Sequence, residues 1–161
     1  MNTVYVLAGG NMGDRILYLR KAAKIMEEQC GNITARSSFY ETAAWGVTEQ
    51  APFYNQAFAI NTTLEPAQFM QTLLTIENRL GRIRTVKLGP RIIDLDVLLI
   101  DNLIINTALL TVPHPLLPQR RFALLPLAEI AGNKVHPVLH QTINVLLHEC
   151  KDELEVKKLA R

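Results

Sequence analysis

Two aspartates interrupt an apolar run in the second half of the chain. The run reads GPRIIDLDVLLI over residues 89–100, and its acidic positions are Asp94 and Asp96. Residues two apart on a strand point to the same face and lie about 7 Å apart. The two carboxylates therefore repel each other unless they face water or share a cation.

Both faces of this predicted strand are otherwise apolar. Leu98 and Ile100 continue the face that carries the aspartates. The opposite face is formed by Ile93, Leu95, Val97 and Leu99. This pattern is typical of a strand that is buried at one end and opens at the other into a site requiring negative charge. Two carboxylates at this spacing can hold Mg²⁺ and leave positions for substrate phosphates; a solvated polar face is the simpler alternative for the motif alone.

The remaining periodicities predict a βαββαβ order of elements. The predicted strands cover residues 3–8, 33–40, 53–64 and 92–100. Gly9 and Gly10 are expected to close the first strand. The predicted helices cover residues 15–29 after an Asp14 cap, 66 until Gly81, 123–130 and 142–150. This order predicts an α+β fold, a ferredoxin-like sandwich with an antiparallel sheet and additional C-terminal helices.

Length and composition predict one soluble domain over residues 1–161. The chain is 48% hydrophobic and 20% charged, and its net charge of +2 gives no strong attraction to nucleic acid or anionic membrane. Two cysteines without a CxxC pair favour a reducing cytoplasm. No uncharged apolar run approaches the roughly 18 residues that span a bilayer. We expect a cytoplasmic monomer whose partners are small molecules, not nucleic acid or membrane.

A basic segment, GRIRTVKLGPR, directly precedes the aspartates at residues 81–91. Most charged runs are solvated loops. Arginine, however, offers forked donors that suit phosphate oxygens, and glycines near both ends would let this segment move. A basic loop beside an acidic metal pair is the combination that phosphoryl transfer requires.

Three further side chains suggest a ligand, each with a structural alternative. His114 lies between two prolines in TVPHPLLPQRRF and either caps backbone carbonyls or meets phosphates together with Arg120. Phe122 is either a core residue or an aromatic lid over a flat ligand. Asn55 lies on a largely apolar strand face, where it either satisfies backbone groups or reads the amide edge of a heterocycle.

Together these segments resemble the 6-hydroxymethyl-7,8-dihydropterin pyrophosphokinase family. The resemblance rests on GPRIIDLDVLLI followed by LTVPHPLLPQRRFALLPLAEIA, and it extends through AGGNMGDR, SSFYETAAWG and FYNQAFAI over nearly the whole chain. It implies a ferredoxin-like fold. It also implies transfer of pyrophosphate from ATP to the hydroxymethyl group of 6-hydroxymethyl-7,8-dihydropterin, with release of AMP, in folate biosynthesis.

The resemblance implies a role for each matching residue. Two Mg²⁺ ions would be bound by Asp94 and Asp96, and the transferring group would be stabilised by Arg82 and Arg91. The implied ATP-binding residues are Glu77, Arg84, Arg91, Thr111, His114 and Arg120. The implied pterin-binding residues are Thr42, Trp45, Gly46, Phe53, Asn55 and Phe122.

The chain departs from the family pattern at three positions without losing a charge or a metal ligand. Ala44 stands where proline is frequent, Leu88 where some members have tryptophan, and Phe53 where some have tyrosine. Two alternatives remain. An RNA-recognition domain shares the ferredoxin-like sheet, but its aromatic strand motif is absent here. A catalytically silent homologue is disfavoured by the intact charged residues.

Overall fold

The computed structural model describes residues 1–43, 51–82 and 90–159 of the chain. Its strands are β1 Asn2–Gly10, β2 Asn32–Arg36, β3 Tyr40–Thr42, β4 Phe53–Thr62, β5 Asp94–Ile100, β6 Ile105–Asn106, β7 Thr111–Val112 and β8 Val156–Lys158. Its helices are α1 Arg15–Gln29, α2 Pro66–Arg79, α3 Arg121–Ala131 and α4 Ile143–Glu149, with a 3₁₀ turn at Leu117–Gln119. None of the helices in these ranges is both long and apolar enough to cross a bilayer.

The main sheet is antiparallel throughout and has the order β5-β1-β4-β3-β8, with β2 also paired to β4. Helices α1 and α2 pack on one face over a core that includes Leu19, Phe58 and Phe69. Helices α3 and α4 pack on the other face over a second cluster that includes Leu98 and Leu124. The predicted ferredoxin-like α+β fold, with extra C-terminal helices, is confirmed.

The helix starts follow from local chemistry. The Asp14 side chain accepts a hydrogen bond from the Leu17 N–H at 3.1 Å, which satisfies one free donor of the first turn of α1. In α2, Pro66 occupies the first turn as predicted, and the Gln68 side chain accepts from the Glu65 N–H at 3.2 Å. These caps fix where the two helices begin.

The first strand does not stop where the glycines begin, so the prediction that Gly9 and Gly10 close it is wrong. Both glycines lie inside β1 and pair with Asn55 and Tyr54 of β4. A Cβ atom at position 10 would lie 2.2 Å from the Ile92 carbonyl oxygen. Close backbone approach within a sheet, and not a turn, explains this glycine.

The predicted strand 33–40 is interrupted at Ser37, because hydrogen bonds that involve side chains replace the regular backbone pairing there. The Ser37 hydroxyl accepts from the Ala57 N–H at 2.9 Å, and its carbonyl accepts from the Gln56 side chain at 2.8 Å. The chain therefore divides into β2 and β3, which pair in succession along the same edge of β4.

A register shift in the β1–β5 pairing alters the faces predicted for β5. Tyr5 pairs with Leu99 and Val6 with Val97, so Leu98 is the extra residue of a bulge. Ile100 consequently packs with the core beneath the other face, while Leu99 joins Leu98 on the face of the aspartates. The prediction that Ile100 shares the aspartate face is wrong because alternation fails at a bulge.

Candidate active site

Three adjacent strands align Asn55, Gly9 and Asp94 in one row across the sheet, because Gly9 pairs with Asn55 on one side and with Asp94 on the other. Strand spacing of about 4.8 Å separates the outer two positions by about 10 Å, with only a glycine between them. A Cβ atom at position 9 would lie 2.0 Å from Asn55 Oδ1. Glycine therefore keeps the floor of the site open between an amide and a carboxylate.

Above this row lies a cleft of about 530 Å³ that opens to solvent. Its charged lining residues are Arg91, Asp94, Asp96 and Arg120. Its uncharged polar and aromatic lining residues are Thr42, Phe53, Asn55 and Phe122. The tertiary fold thus brings together eight of the residues singled out from the sequence. Leu7, Gly9 and Ala43 also line the cleft and were not singled out.

The two arginines predicted to be catalytic converge on one carboxylate. Arg82 forms an ion pair with Oδ1 of Asp94, and Arg91 approaches Oδ2 of the same side chain at 3.3 Å. Arg82 also donates to the Ile93 carbonyl at 3.3 Å and lies 3.4 Å from Glu77 Oε2. Both arginine side chains are largely shielded from solvent, with 13% and 17% of them exposed.

Asp96 is in a different electrostatic environment from Asp94. Burial, followed by the negative charge of Asp94, raises the pKa of Asp96, and the positive charge of Arg120 opposes that rise. A second positive charge close to the pair would therefore stabilise both carboxylates in their ionised form.

The donor atoms at this point fit Mg²⁺, which prefers one or two carboxylates and fills its octahedron with water and substrate phosphates. Within the described ranges no group of three or more histidine, cysteine or acidic side chains could hold a metal. Asp94 and Asp96 would be the protein ligands, and the remaining positions would be left to the substrate and water.

The amide of Asn55 is committed to no partner within the described ranges. Only 4% of the residue is exposed, and its Nδ2 atom is buried without a hydrogen-bond partner. Two aromatic rings line the same cleft, with the guanidinium of Arg91 5.3 Å from the Phe53 ring centroid and that of Arg120 5.5 Å from the Phe122 centroid. The combination suits a flat heterocycle with a polar edge.

Three of the predicted ATP-binding residues, Glu77, Thr111 and His114, do not line this cleft. Glu77 is 2% exposed and accepts from the Leu95 N–H at 2.6 Å, so it supports the start of β5 from below. Thr111 is exposed and donates to Asn106 Oδ1 at 3.4 Å. Trp45, Gly46 and Arg84 lie outside the described residues.

His114 lies close enough to the site to feel its charges. Burial, together with the positive charge of Arg120, lowers the pKa of His114 to about 4, although Asp94 opposes the shift. Its Nδ1 accepts from the Leu116 N–H at 3.2 Å, so the imidazole caps a backbone N–H and not the backbone carbonyls considered for it. The imidazole is therefore neutral at pH 7 and leaves Nε2 for another contact.

Asn11 was not singled out from the sequence, yet it connects three parts of the site's framework. Its backbone N–H donates to the Arg91 carbonyl at 2.9 Å, and its Oδ1 accepts from the Arg91 N–H at 2.9 Å. Its Nδ2 donates to the Ala51 carbonyl at 2.9 Å. The signal that would have found it is an amide residue directly after the two glycines, because such a side chain can bridge backbone groups.

Residues 5–132 match the family model described as 7,8-dihydro-6-hydroxymethylpterin-pyrophosphokinase (HPPK). The chain belongs to this family. Membership confirms the predicted function, which is transfer of pyrophosphate from ATP to the hydroxymethyl group of 6-hydroxymethyl-7,8-dihydropterin in folate synthesis.

Several curated relatives carry the corresponding name. The chain is similar to the 2-amino-4-hydroxy-6-hydroxymethyldihydropteridine pyrophosphokinases of Aquifex aeolicus (41% identity over 143 residues, 89% of each chain) and Bacillus subtilis (45% over 130 residues, 80% of this chain and 78% of that protein). It is also 42% identical over 143 residues, 89% of its own length, to the folic acid synthesis protein FOL1 of Dictyostelium discoideum. It spans only 22% of that longer protein.

Solved HPPK structures share the fold. The structure of wild-type Plasmodium falciparum HPPK-DHPS with pteroate matches with a TM-score of 0.75 at 16% identity, over 92% of this chain and 42% of that one. An HPPK-DHPS in complex with substrates matches with a TM-score of 0.73 at 15% identity, over 91% of this chain and 43% of that one.

Proposed function

We propose that the cleft above the Asn55–Gly9–Asp94 row is where this HPPK binds its pterin and transfers pyrophosphate to it. The observation that carries the proposal is the row itself, with an uncommitted amide at one end and a carboxylate at the other. The pterin bound at the amide end would direct its hydroxymethyl group along the glycine floor toward the acidic end. The reacting oxygen would then lie near the phosphates.

The pterin is held by shape and hydrogen bonding. Phe53 and Phe122 supply the apolar surface for the ring, and the Nδ2 of Asn55 donates to an acceptor on the amide edge of the heterocycle. Binding satisfies a buried donor, so a ligand lacking that acceptor leaves it unpaired and binds more weakly. Thr42 contributes to the wall of the same pocket.

The phosphates are held by charge. Arg82 and Arg91 are forked donors that can turn from Asp94 to the transferring group, where they stabilise charge that develops on its oxygens. Arg120 and the neutral His114 complete the nucleotide side, while Glu77 holds Arg82 and the start of β5. When bound by Asp94 and Asp96, two Mg²⁺ ions would neutralise phosphate charge and polarise the group under attack.

We take residues 1–161 to act as one domain and as a monomer in the cytoplasm. The two helical layers on a single sheet support the first statement, because every described element packs on that sheet or on its neighbours.

Product analysis tests the chemistry. Protein is incubated with Mg²⁺, ATP and 6-hydroxymethyl-7,8-dihydropterin, and nucleotides and pterins are separated by chromatography. We expect AMP and pterin diphosphate in equal amounts. ADP with pterin monophosphate would overturn the proposal, because it would mean transfer of a single phosphoryl group.

A variant at the acidic pair tests the metal assignment. Asp96→Asn should leave the circular dichroism spectrum unchanged and abolish turnover, since it removes one ionised ligand. Mn²⁺ binding, followed by electron paramagnetic resonance in the presence of a nonhydrolysable ATP analogue, should weaken in parallel. Unchanged Mn²⁺ binding would contradict the role of Asp96 as a ligand.

A further inference from the structure

The C-terminal segment, residues 150–159, contacts two walls of the cleft although it lies beyond the part of the chain that matches the family model, which ends at residue 132. It contains β8, which pairs with β3, and it passes the start of α3. Both elements carry cleft residues, because Thr42 lies on β3 and Phe122 on α3.

The first contact caps the N-terminus of α3 through a residue that is distant in sequence. The helix has no cap of its own, since the side chain of Arg120, the preceding residue, makes no capping bond. The missing acceptor is supplied by Asp152, whose Oδ2 accepts from the Arg121 N–H at 3.1 Å. A carboxylate at a helix N-terminus also interacts favourably with the helix dipole. The second oxygen of Asp152 accepts from the Leu154 N–H at 3.1 Å, which fixes the carboxylate in place.

The side chain of Arg121 also bonds to the C-terminal segment. Its guanidinium donates to the Cys150 carbonyl at 2.7 Å, so backbone and side chain of one residue are both tied to the C-terminal segment. The Arg121 side chain does not line the cleft; its two chain neighbours, Arg120 and Phe122, do. The position of Phe122 therefore depends on how firmly Arg121 is anchored.

The second contact holds the opposite wall. The Thr42 hydroxyl donates to the Glu155 carbonyl at 3.0 Å, and Thr42 pairs with Val156 in the sheet. The pairing extends to Leu159, whose N–H donates to the Phe39 carbonyl at 2.9 Å. Without β8, β3 would be a three-residue edge strand next to the cleft.

We infer that Asp152 is a positioning residue for the pterin. Its bond to Arg121 ties the Phe122 wall to the short segment whose Glu155 and Val156 hold the Thr42 wall, and it thereby sets the separation between the two walls. The inference rests on the proposed assignment of these walls to the pterin pocket. Arg120, on the nucleotide side, is less dependent on Asp152, because its backbone is held locally by the Leu117 carbonyl at 3.2 Å and the Ala123 N–H at 3.0 Å.

The test compares Asp152→Ala with Glu153→Ala. Both remove one negative charge from adjacent positions, and Glu153 is exposed with no polar contact to another described residue. We expect Asp152→Ala to raise the KM for 6-hydroxymethyl-7,8-dihydropterin about three- to tenfold, an effect the size of a lost helix cap. The KM for ATP and kcat should change less than about twofold. Glu153→Ala should resemble wild type.

Equal increases in both KM values, or a lower Tm with an unchanged pterin KM, would overturn the inference and leave Asp152 with a structural role only. If Asp152→Ala fails to fold, Asp152→Asn decides, because it keeps the size of the side chain but has one acceptor oxygen in place of the two that accept from Arg121 and Leu154; the same selective rise in pterin KM is expected. A wild-type protein that forms no AMP would instead refute the proposed function, so the two failures are distinguishable.

Discussion

At the scale of single residues, two adjacent amides in β4 have different partners. Asn55 lines the cleft and its buried Nδ2 has no partner in the described part of the chain, whereas the Gln56 side chain donates to the Ser37 carbonyl at 2.8 Å. We therefore expect Asn55 to contribute to ligand binding and Gln56 to contribute to the fold. The arginines that face the cleft likewise differ in role from the carboxylate and backbone groups, which hold those arginines in place.

Asn55→Leu should weaken pterin binding without weakening the fold. Loss of the hydrogen bond to the ligand should lower affinity for the pterin by about 1 to 3 kcal/mol, measured by fluorescence titration. The free energy of unfolding should stay equal or rise, because a buried unpaired donor has been removed. Gln56→Leu is the matched control, and it should lower the free energy of unfolding by about 1 to 3 kcal/mol while pterin affinity is kept. Equal effects of both variants on pterin affinity would contradict the distinction.

Arg91→Lys should slow the chemical step. A lysine keeps the charge but cannot form the forked contact, so stabilisation of the transferring group is lost. We expect kcat to fall about 100-fold, the usual effect of removing one preorganised donor. Rapid-quench measurement of AMP in a single turnover reports that step directly. Wild-type single-turnover rates would show that Arg91 does not stabilise the transition state.

At the scale of elements, the end of β1 is connected to both neighbouring chain segments by Asn11. Its side chain bridges the Ala51 carbonyl, just before β4, and the Arg91 N–H, just before β5. A single amide thereby fixes where two connections return to the sheet. The position of Arg91 in the cleft is a consequence of this bridge as well as of its own ion pair.

Asn11→Ala should lower kcat/KM more than it lowers stability. Loss of the bridge frees the backbone at Arg91, and we expect kcat/KM to fall about tenfold or more. The free energy of unfolding should fall by only about 1 to 2 kcal/mol, because the sheet itself is unaffected. Denaturant unfolding and steady-state kinetics measure the two quantities. A fall in stability alone would show that the bridge does not position Arg91.

At the scale of the whole molecule, Glu129 joins the helical layer to the edge of the sheet. From α3 it accepts hydrogen bonds from the Tyr40 hydroxyl at 2.6 Å and the Ser38 N–H at 3.1 Å, and it lies 3.9 Å from the Lys158 ammonium. Burial by itself would raise the pKa of Glu129, but these hydrogen bonds and the charge of Lys158 outweigh it and lower the pKa.

Stability should therefore depend on pH through Glu129. Because the pKa is lower in the folded state, the carboxylate stabilises the fold fully above the unfolded-state pKa of about 4.3 and loses that contribution as pH falls through the folded-state value. Glu129→Gln should lower the free energy of unfolding at pH 7 by about 1 to 3 kcal/mol. The difference from wild type should shrink as pH falls from about 5 toward 3. Denaturant unfolding across that range measures it.

Glu155→Gln is the control for this pH dependence. Its carboxylate is 78% exposed and lies 4.0 Å from Lys157, so the pair is screened by solvent. The control should differ from wild type by less than about 0.5 kcal/mol at any of these pH values. If the difference in the free energy of unfolding between wild type and Glu129→Gln does not change with pH, the charge of the carboxylate is unimportant for stability.

Sequence patterns predicted an element correctly where its start and its buried face are set by residues within that element. The Asp14 cap, the proline start of α2 and the apolar spacing of both helices are short-range features, and each appears as expected. Predictions failed where a contact with a distant strand decided the outcome. Two consecutive glycines favour a turn locally. In the folded chain, however, Asn55 and Ile92 leave no space for a Cβ atom at Gly9 and Gly10. Ser37 divides a strand through contacts with β4.

The sequence by itself predicted the fold class from its hydrophobic periodicity and the reaction from its resemblance to the HPPK family, because both signals are properties of short segments. Only the tertiary structure decided which of those residues meet. The register across β4, β1 and β5 aligns Asn55 with Asp94, while Glu77 lies beneath the sheet instead of in the cleft. The role of Asp152 also depends on tertiary structure, since its partner is 31 positions away along the chain. Strand register and long-range capping depend on packing of the whole molecule, which no local pattern encodes.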